Sequence, residues 1–229
     1  MTSRPALIAV AHGTRAPLGQ QQIRELAAAV ARRRPDLDVR LAYVDVQQPH
    51  VAEVVTGSAV VVPLLLSAGY HVRVDIANAV AGTAVPVTPP LGPDAVLLKS
   101  MARRLPEADA VVLAAAGSSD PGWRQSVGEL AAGIPGAHVA YATGTESRVA
   151  DVVARLRRDG ARRIAIAAYL LADGLFYRTL HRAGADSVTP PLCLDPATAD
   201  LIIDRYESQS ASGECGVFRT SGQPERSRR

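Results

Sequence analysis

The sequence predicts an α/β protein in which parallel strands are covered by helices on both faces, and in which this unit occurs twice. Short apolar runs, typical of strands buried on both faces, alternate with stretches whose apolar residues follow the period of a helix. Small and polar residues end each apolar run. Because strands that alternate with helices pair in parallel through right-handed crossovers, we expect a parallel sheet in each unit.

The first half contains four predicted strands, each followed by a helix. In chain order these are a strand over 6–11 with a helix from Pro17, a strand over 39–44 with a short helix from about Pro49, a strand over 59–66 with a helix from about Val72, and a short strand ending at 87–91 with a helix over 93–105. Pro17 suits the first turn of its helix, and Ile23, Leu26, Ala27 and Val30 mark one apolar face of it.

The same residues return in the second half at offsets of 98 to 105. Gly13 and Pro17 recur as Gly117 and Pro121, and the pentapeptide at 87–91 recurs unchanged at 188–192. Matches in this order indicate a duplication. We therefore expect two tandem flavodoxin-like domains, each a three-layer αβα sandwich around a four-stranded parallel sheet of order 2-1-3-4. Their predicted ranges are 1–105 and 106–207, and the tail at 208–229, rich in Ser, Gly and Arg, is expected to be disordered.

Composition and charge exclude several classes of function. The net charge of +3 comes mostly from the tail, and aromatic residues make up only 4% of the chain, so nucleic-acid binding is not expected. No N-terminal signal pattern and no run of about 20 apolar residues is visible. Two cysteines, Cys193 and Cys215, fit a reducing compartment better than a disulfide scaffold. We expect a cytoplasmic monomer or homodimer that contacts neither nucleic acid nor membrane.

Two histidines and one carboxylate of the first half are replaced in the second. His12, Asp45 and His71 align with Ala116, Thr143 and Phe176. If they served the fold alone, the second half would be expected to need them too, so we predict one site per chain, carried by the first half and walled by the second. The three residues follow the first, second and third strands, whose carboxyl ends share one edge, and their side chains begin within roughly 10 Å of one another.

Such a set suits Fe2+, Co2+ or a related divalent ion with positions left open. Both imidazoles can instead act as general bases near neutral pH. Thr14, Arg15 and Arg73 are candidates for binding anionic substrate groups, and Ser67, Gly69 and Tyr70 line the predicted turn after the third strand. His50, His138 and His181 belong to no constellation and are interpreted as structural. Neither a Gly-rich phosphate loop nor a Gly-x-Ser-x-Gly elbow is present, so neither a nucleotide nor serine hydrolysis is expected.

Three motifs resemble the CbiX/SirB-type sirohydrochlorin chelatases, the class II tetrapyrrole chelatases, in their long two-repeat form. They are Ala11-His12-Gly13-Thr14-Arg15, Tyr43-Val44-Asp45, and residues 63–76, of which the last is the most specific. The resemblance implies insertion of a divalent metal into sirohydrochlorin without ATP, with Fe2+ giving siroheme and Co2+ serving a cobalamin route. His12 and His71 would be the metal-binding and proton-accepting residues, and Asp45 stands where many members carry Glu. The Cys-rich cluster motif of some long members is absent, so no iron–sulfur cluster is expected.

The chemistry of insertion agrees with these residues. Two pyrrole protons must leave as the ion enters, so bases must stand beside the metal, and a closed tetrahedral cage would not release the ion. We expect Leu64, Leu66 and the second half to pack against the macrocycle face. Ferrochelatase is the first expectation and cobaltochelatase the alternative. A metal or tetrapyrrole carrier without turnover, and a hydrolase with His12 as its base, are the rivals from other classes.

Overall fold

The computed structural model describes residues 4–67 and 70–211, and for residues 70–73, 210 and 211 it describes the backbone alone. The first half contains β1 (Ala6–Ala11), α1 (Pro17–Arg33), β2 (Val39–Tyr43), α2 (Val51–Val54), β3 (Ala59–Pro63), α3 (Tyr70–Val80) and α4 (Ala95–Arg104). The second contains β4 (Ala110–Ala115), α5 (Pro121–Ala132), β5 (Ala137–Tyr141), α6 (Val149–Arg158), β6 (Ile164–Tyr169), α7 (Leu175–Leu180), β7 (Ser187–Val188), a short 3-10 helix (Leu192–Leu194) and α8 (Pro196–Ala211).

The sheets are parallel, which confirms the predicted α/β class. The first has the order β2-β1-β3 and the second the order β5-β4-β6-β7. The sequence produces this arrangement because successive side chains of a buried strand point to opposite faces. In β1, Leu7 and Ala9 join one apolar core, while Ile8 and Val10 join another on the opposite face of the sheet. Both faces of the strand are thereby covered.

The prediction of four strands in each sheet is wrong for the first half. Val87 forms only an isolated bridge with Val61, whereas the corresponding residue Val188 belongs to β7. The residue before it explains the difference. Pro86 has no N–H to donate to a strand ladder, and the second half has Ser187 at this position.

The last helix of each half packs against the other half. α8 contacts α1 and β3 of the first half, and α4 contacts β6 of the second. The largest apolar core therefore combines residues of both sheets, such as Leu7 of β1 and Leu113 of β4, which are both fully buried. A polar contact also joins the two halves, because Arg205 of α8 forms an ion pair with Asp94, the N-cap of α4, at 2.7 Å. The two halves thus share one core.

The C-terminal end of α8 extends beyond the predicted boundary. The helix continues to Ala211, so residues 208–211 are helical where the tail was expected to begin, and residues 212–229 lie outside the described residues. Over the ranges 4–67 and 70–211, the helices are all too short or too polar to cross a membrane.

Asp195, the residue before the first residue of α8, connects that helix to α4. Its carboxylate accepts hydrogen bonds from the Ser100 hydroxyl and the Ala197 N–H, and it pairs with Arg103 at 2.9 Å and Arg104 at 3.4 Å. Burial raises the pKa of Asp195, but these donors outweigh burial and hold the pKa below the ordinary value of 3.8. The ionised carboxylate therefore stabilises the contact between α4 and α8.

We expect Asp195→Ala to lower the free energy of unfolding by about 2–4 kcal/mol, because an N-cap is lost and the buried Ser100 hydroxyl loses its acceptor. Since the pKa is lower in the folded protein, this contribution is complete above pH 3.8 and is lost as the pH falls toward the folded pKa. Urea unfolding at several pH values measures both effects. Asp200→Ala on the same helix is the control, because its exposed pair with Arg33 should contribute less than about 1 kcal/mol. Equal losses for the two variants would contradict the assignment.

Candidate functional site

The ends of β1 and β2 bring His12 and Asp45 together. Ala11 pairs with Tyr43 in the parallel register, so the chain leaves both strands at the same level of the sheet edge. The Asp45 N–H then donates to the His12 carbonyl at 3.0 Å. Both residues are exposed. The structure thus places the backbone of these two candidates side by side at the carboxyl edge, where open α/β sheets bind ligands.

Gly13 makes this close approach possible. Its φ is +101°, a left-handed conformation, and a Cβ added to it would lie 2.0 Å from the Asp45 carbonyl oxygen. Two non-bonded heavy atoms do not approach so closely, and the Asp45 carbonyl belongs to the backbone, so it cannot rotate away as a side chain could. Only glycine allows the His12 turn and the Asp45 turn to meet in this way.

Gln47 fixes the relative position of the two turns. Its Oε1 accepts the Thr14 N–H at 2.9 Å, and its side chain also bonds to Tyr43 at the end of β2. Burial raises the pKa of the Tyr43 hydroxyl, while Arg24 and the Gln47 bond oppose that rise. The sequence reasoning missed Gln47. Its one signal is an amide side chain placed two residues after a candidate ligand.

Val46, between Asp45 and Gln47, has a strained backbone. Its φ is +67°, and a β-branched residue in this region is a true outlier. The strain costs of the order of 1–3 kcal/mol. The Asp45 carboxylate supports the conformation, because its Oδ1 accepts the Val46 N–H at 2.7 Å. One oxygen of the candidate ligand is therefore engaged by the loop itself.

The other candidates after β1 and β3 have different surroundings. Thr14 is half-buried, and its hydroxyl accepts the Ala16 N–H at 3.1 Å, so it supports the turn into α1. Arg15 is exposed. Ser67 lines a cavity of about 210 Å³ together with Trp123 and Ser126 of the second half. All three stay predictions as substrate-binding residues.

The remaining candidates fall where the structure is not described. Gly69 lies outside the described residues, as do the side chains of Tyr70, His71 and Arg73, whose backbone forms the first turn of α3. Among the described residues no group of three or more His, Cys, Asp or Glu side chains is placed to hold a metal ion. The predicted ligand set also includes His71, whose part in it stays a prediction.

The second half repeats the scaffold of this edge without its histidine. The Thr143 N–H donates to the Ala116 carbonyl at 3.0 Å, as Asp45 does to His12, and Gly117 has a φ of +110°. This agreement supports the alignment of His12 with Ala116 and of Asp45 with Thr143. The backbone arrangement is common to both halves, and the imidazole and carboxylate are not.

A loop of the second half covers the side of the site. The Asp173 N–H donates to Gln22 of α1 at 2.7 Å, and a Cβ added to Gly174 would lie 3.7 Å from the Thr14 hydroxyl. The next two residues, Leu175 and Phe176, are 75% and 39% exposed and present apolar surface to solvent. They occupy the positions that correspond to Tyr70 and His71.

The expectation that Leu64 packs against the macrocycle face is wrong. Leu64 is 2% exposed and belongs to the shared core, because it follows β3 on the face toward α8. Leu66 is half-buried, and its carbonyl accepts the hydroxyl of Tyr169, a buried residue of β6. Burial raises the pKa of Tyr169, so this hydroxyl keeps its proton and its bond. The second half therefore anchors the chain where it leaves β3.

Solved structures show which class of protein has this fold. SirB from Bacillus subtilis with Fe3+ matches at a TM-score of 0.76 and 21% identity, over 91% of this chain and 96% of that one. The sirohydrochlorin chelatase SirB from Bacillus subtilis subspecies spizizenii in complex with cobalt matches at 0.71 and 18% identity, over 92% and 97%. The fold is therefore that of the SirB chelatase structures.

The chain belongs to the CbiX family, whose model matches once in each half, over residues 6–108 and 110–209. One protein with a similar sequence is the sirohydrochlorin cobaltochelatase of Methanosarcina barkeri, which is 25% identical to this chain over 129 residues. The match covers 47% of this chain and 99% of that protein. These findings confirm the resemblance drawn from the three motifs.

We expect Gly13→Ala to destabilise the protein by more than about 3 kcal/mol, because the new Cβ combines a left-handed backbone with a collision against Asp45. Gly57→Ala is the matched control. Gly57 also has a positive φ, +67°, but a Cβ there would meet no atom within 4 Å, so the loss should be about 1 kcal/mol. Urea unfolding of both variants checks the difference. Similar losses would show that the His12 and Asp45 turns are not in close contact.

Proposed function

We propose that this protein inserts a divalent metal ion into sirohydrochlorin without ATP. The observation that carries the proposal is the meeting of His12 and Asp45 at the carboxyl edge of the first sheet, on a scaffold that the second half repeats without them. Membership of the CbiX family and the name of the Methanosarcina barkeri relative support it.

The residues supply what insertion requires. The imidazole of His12 can act as the base that accepts one pyrrole proton, and His71 would accept the second if it faces the same cleft. Asp45 uses Oδ1 to bind the Val46 N–H, so we propose Oδ2 as the oxygen that contacts the ion. Two imidazoles and one carboxylate oxygen hold a divalent ion with positions left open for the macrocycle nitrogens.

The neighbouring surfaces suit a flat macrocycle that carries carboxylates. Leu175 and Phe176 offer exposed apolar surface from the second half, directly after Gly174, which lies near Thr14. Arg15 is exposed two residues after Gly13 and can pair with a carboxylate, as Arg73 would by prediction. Thr14, Ser67, Gly69 and Tyr70 complete the proposed set of substrate-binding residues.

Fe2+ is the first proposed metal and Co2+ the second. Imidazole and carboxylate ligands accept both ions, so the ligand set does not choose between them. The name of the Methanosarcina barkeri relative, a cobaltochelatase, favours Co2+, while the two solved SirB structures carry Fe3+ and cobalt. Insertion rates for Fe2+ and Co2+, measured side by side under anaerobic conditions, show which ion the protein prefers.

The test of the proposal is the absorbance of sirohydrochlorin mixed with metal and a catalytic amount of the protein. We expect many equivalents of metallated product per chain, and a much lower kcat/KM, by at least about 100-fold, for both His12→Ala and His71→Ala, because each removes a base or ligand. His138→Ala, a histidine of the second half, is the control and should keep the wild-type rate. One equivalent per chain would indicate a carrier, and unchanged rates in both site variants would refute the proposal.

Two variants of Asp45 separate its charge from its support of the loop. Asp45→Asn keeps an oxygen that can accept the Val46 N–H but removes the charge, so we expect unchanged stability and a weaker affinity for Co2+, by about tenfold. Asp45→Glu restores the charge and should keep much of the affinity. Isothermal titration with Co2+ alone and thermal unfolding measure the two properties. If Asp45→Asn binds Co2+ as tightly as the wild type, Asp45 is not a ligand.

A further inference from the structure

Val46 combines two features that a residue with only a scaffold role would not have. Its φ of +67° is strained for a β-branched side chain, and the residue is 41% exposed. It belongs to none of the three apolar cores formed by the described residues. Packing inside the protein therefore does not explain why an apolar, branched residue occupies this position.

The second half shows that the fold accepts glycine here. Val46 aligns with Gly144, which has a φ of +98° in the corresponding turn after β5. The two turns share the hydrogen bond to the carbonyl after the first strand of their half, from Asp45 to His12 and from Thr143 to Ala116. A turn of this shape is thus built without a side chain in the half that lacks the histidine, and with a strained valine in the half that has it.

The position of the side chain relates it to the candidate site. A Cβ added to Gly13 would lie 3.3 Å from the Val46 Cβ, so the valine lies against the turn that carries His12. Its own N–H binds the Asp45 carboxylate. A β-branched side chain has few rotamers, and it therefore presents its methyl groups in a fixed direction beside these two residues.

We propose that Val46 is a substrate-contacting residue, whose methyl groups pack against the apolar face of the tetrapyrrole next to the point of metal entry. This inference rests on the proposed function. Strained backbone conformations persist when the surrounding structure imposes them, and they cluster at active and ligand-binding sites. Contact with a conjugated macrocycle gives the exposed valine a role, because burying its exposed part favours binding. The residue then sets affinity for the macrocycle and leaves metal binding to His12 and Asp45.

The experiment uses the full chain with Val46→Gly, Val46→Ala and the control Ser147→Gly. Ser147 also has a positive φ, +49°, but it lies in the second half, after β5. We expect both Val46 variants to weaken binding of metal-free sirohydrochlorin about three- to tenfold, as measured by absorbance titration, and to raise KM with kcat within about twofold. Affinity for Co2+ alone should not change. Ser147→Gly should keep the wild-type affinity for sirohydrochlorin.

Thermal unfolding tests the strain, and the comparison of variants tests the contact. Val46→Gly should keep or raise Tm, by up to about 4 °C, because glycine relieves the left-handed strain. A fall in Tm would show that the valine supports the fold, and would overturn the proposal. So would wild-type sirohydrochlorin affinity in Val46→Ala, because the effect of glycine would then come from backbone freedom. If the wild type binds sirohydrochlorin but inserts no metal, the proposed function fails while the titration still decides the role of Val46. If it binds no sirohydrochlorin, both proposals fail.

Discussion

The candidate site depends on one backbone contact, the hydrogen bond from the Asp45 N–H to the His12 carbonyl across the ends of β1 and β2. Parallel pairing brings the two chain exits to the same level, and Gly13 removes the Cβ that would otherwise collide with the Asp45 carbonyl. Two other features of the edge agree with this contact. Gln47 reaches Thr14 because the turns touch, and Val46 lies against the His12 turn for the same reason. The side chains that give the edge its chemistry are added to a backbone arrangement that does not need them, as Ala116 and Thr143 show.

Most of the fold could be predicted because strand burial leaves a direct signal in the sequence. Continuous apolar runs identified β1 and β3, and the spacing of Ile23, Leu26 and Val30 identified the buried face of α1. The fourth strand of the first half was predicted wrongly because its apolar residues match those of β7, whereas strand pairing depends on the N–H that Pro86 lacks. The packing of α4 and α8 on opposite halves was not predicted. An amphipathic helix shows which face it buries but not against which sheet.

The candidate site could be predicted in part, for a related reason. Comparison of the halves located His12 and Asp45, because the loss of an imidazole or a carboxylate is visible in an alignment. It did not reveal the strain at Val46, since a backbone φ is a property of the folded chain. The alignment of Val46 with Gly144 was the one feature of the sequence that indicated a positive φ there. Leu64 was misplaced because an apolar residue after a strand suits a core and a ligand wall equally well. Gln47 was missed because its role is a single bond to a backbone N–H in another loop.

The duplication gives the second half a structural part in the site. The loop after β6 binds Gln22 of α1 through the Asp173 N–H, and the Asp173 carboxylate accepts a hydrogen bond from Arg178 of α7 at 2.7 Å, so Asp173 links this loop to both helices. Its Gly174 lies near the Thr14 hydroxyl, and Gln47 of the first half accepts the Thr14 N–H. The turn that carries His12 is therefore held between loops of both halves. In the proposed reaction such support would matter, because a base must keep its position as the macrocycle binds. The second half has Ala116 at the position of His12, which agrees with the proposed supporting role, since a supporting loop needs fixed geometry and apolar surface rather than a ligand.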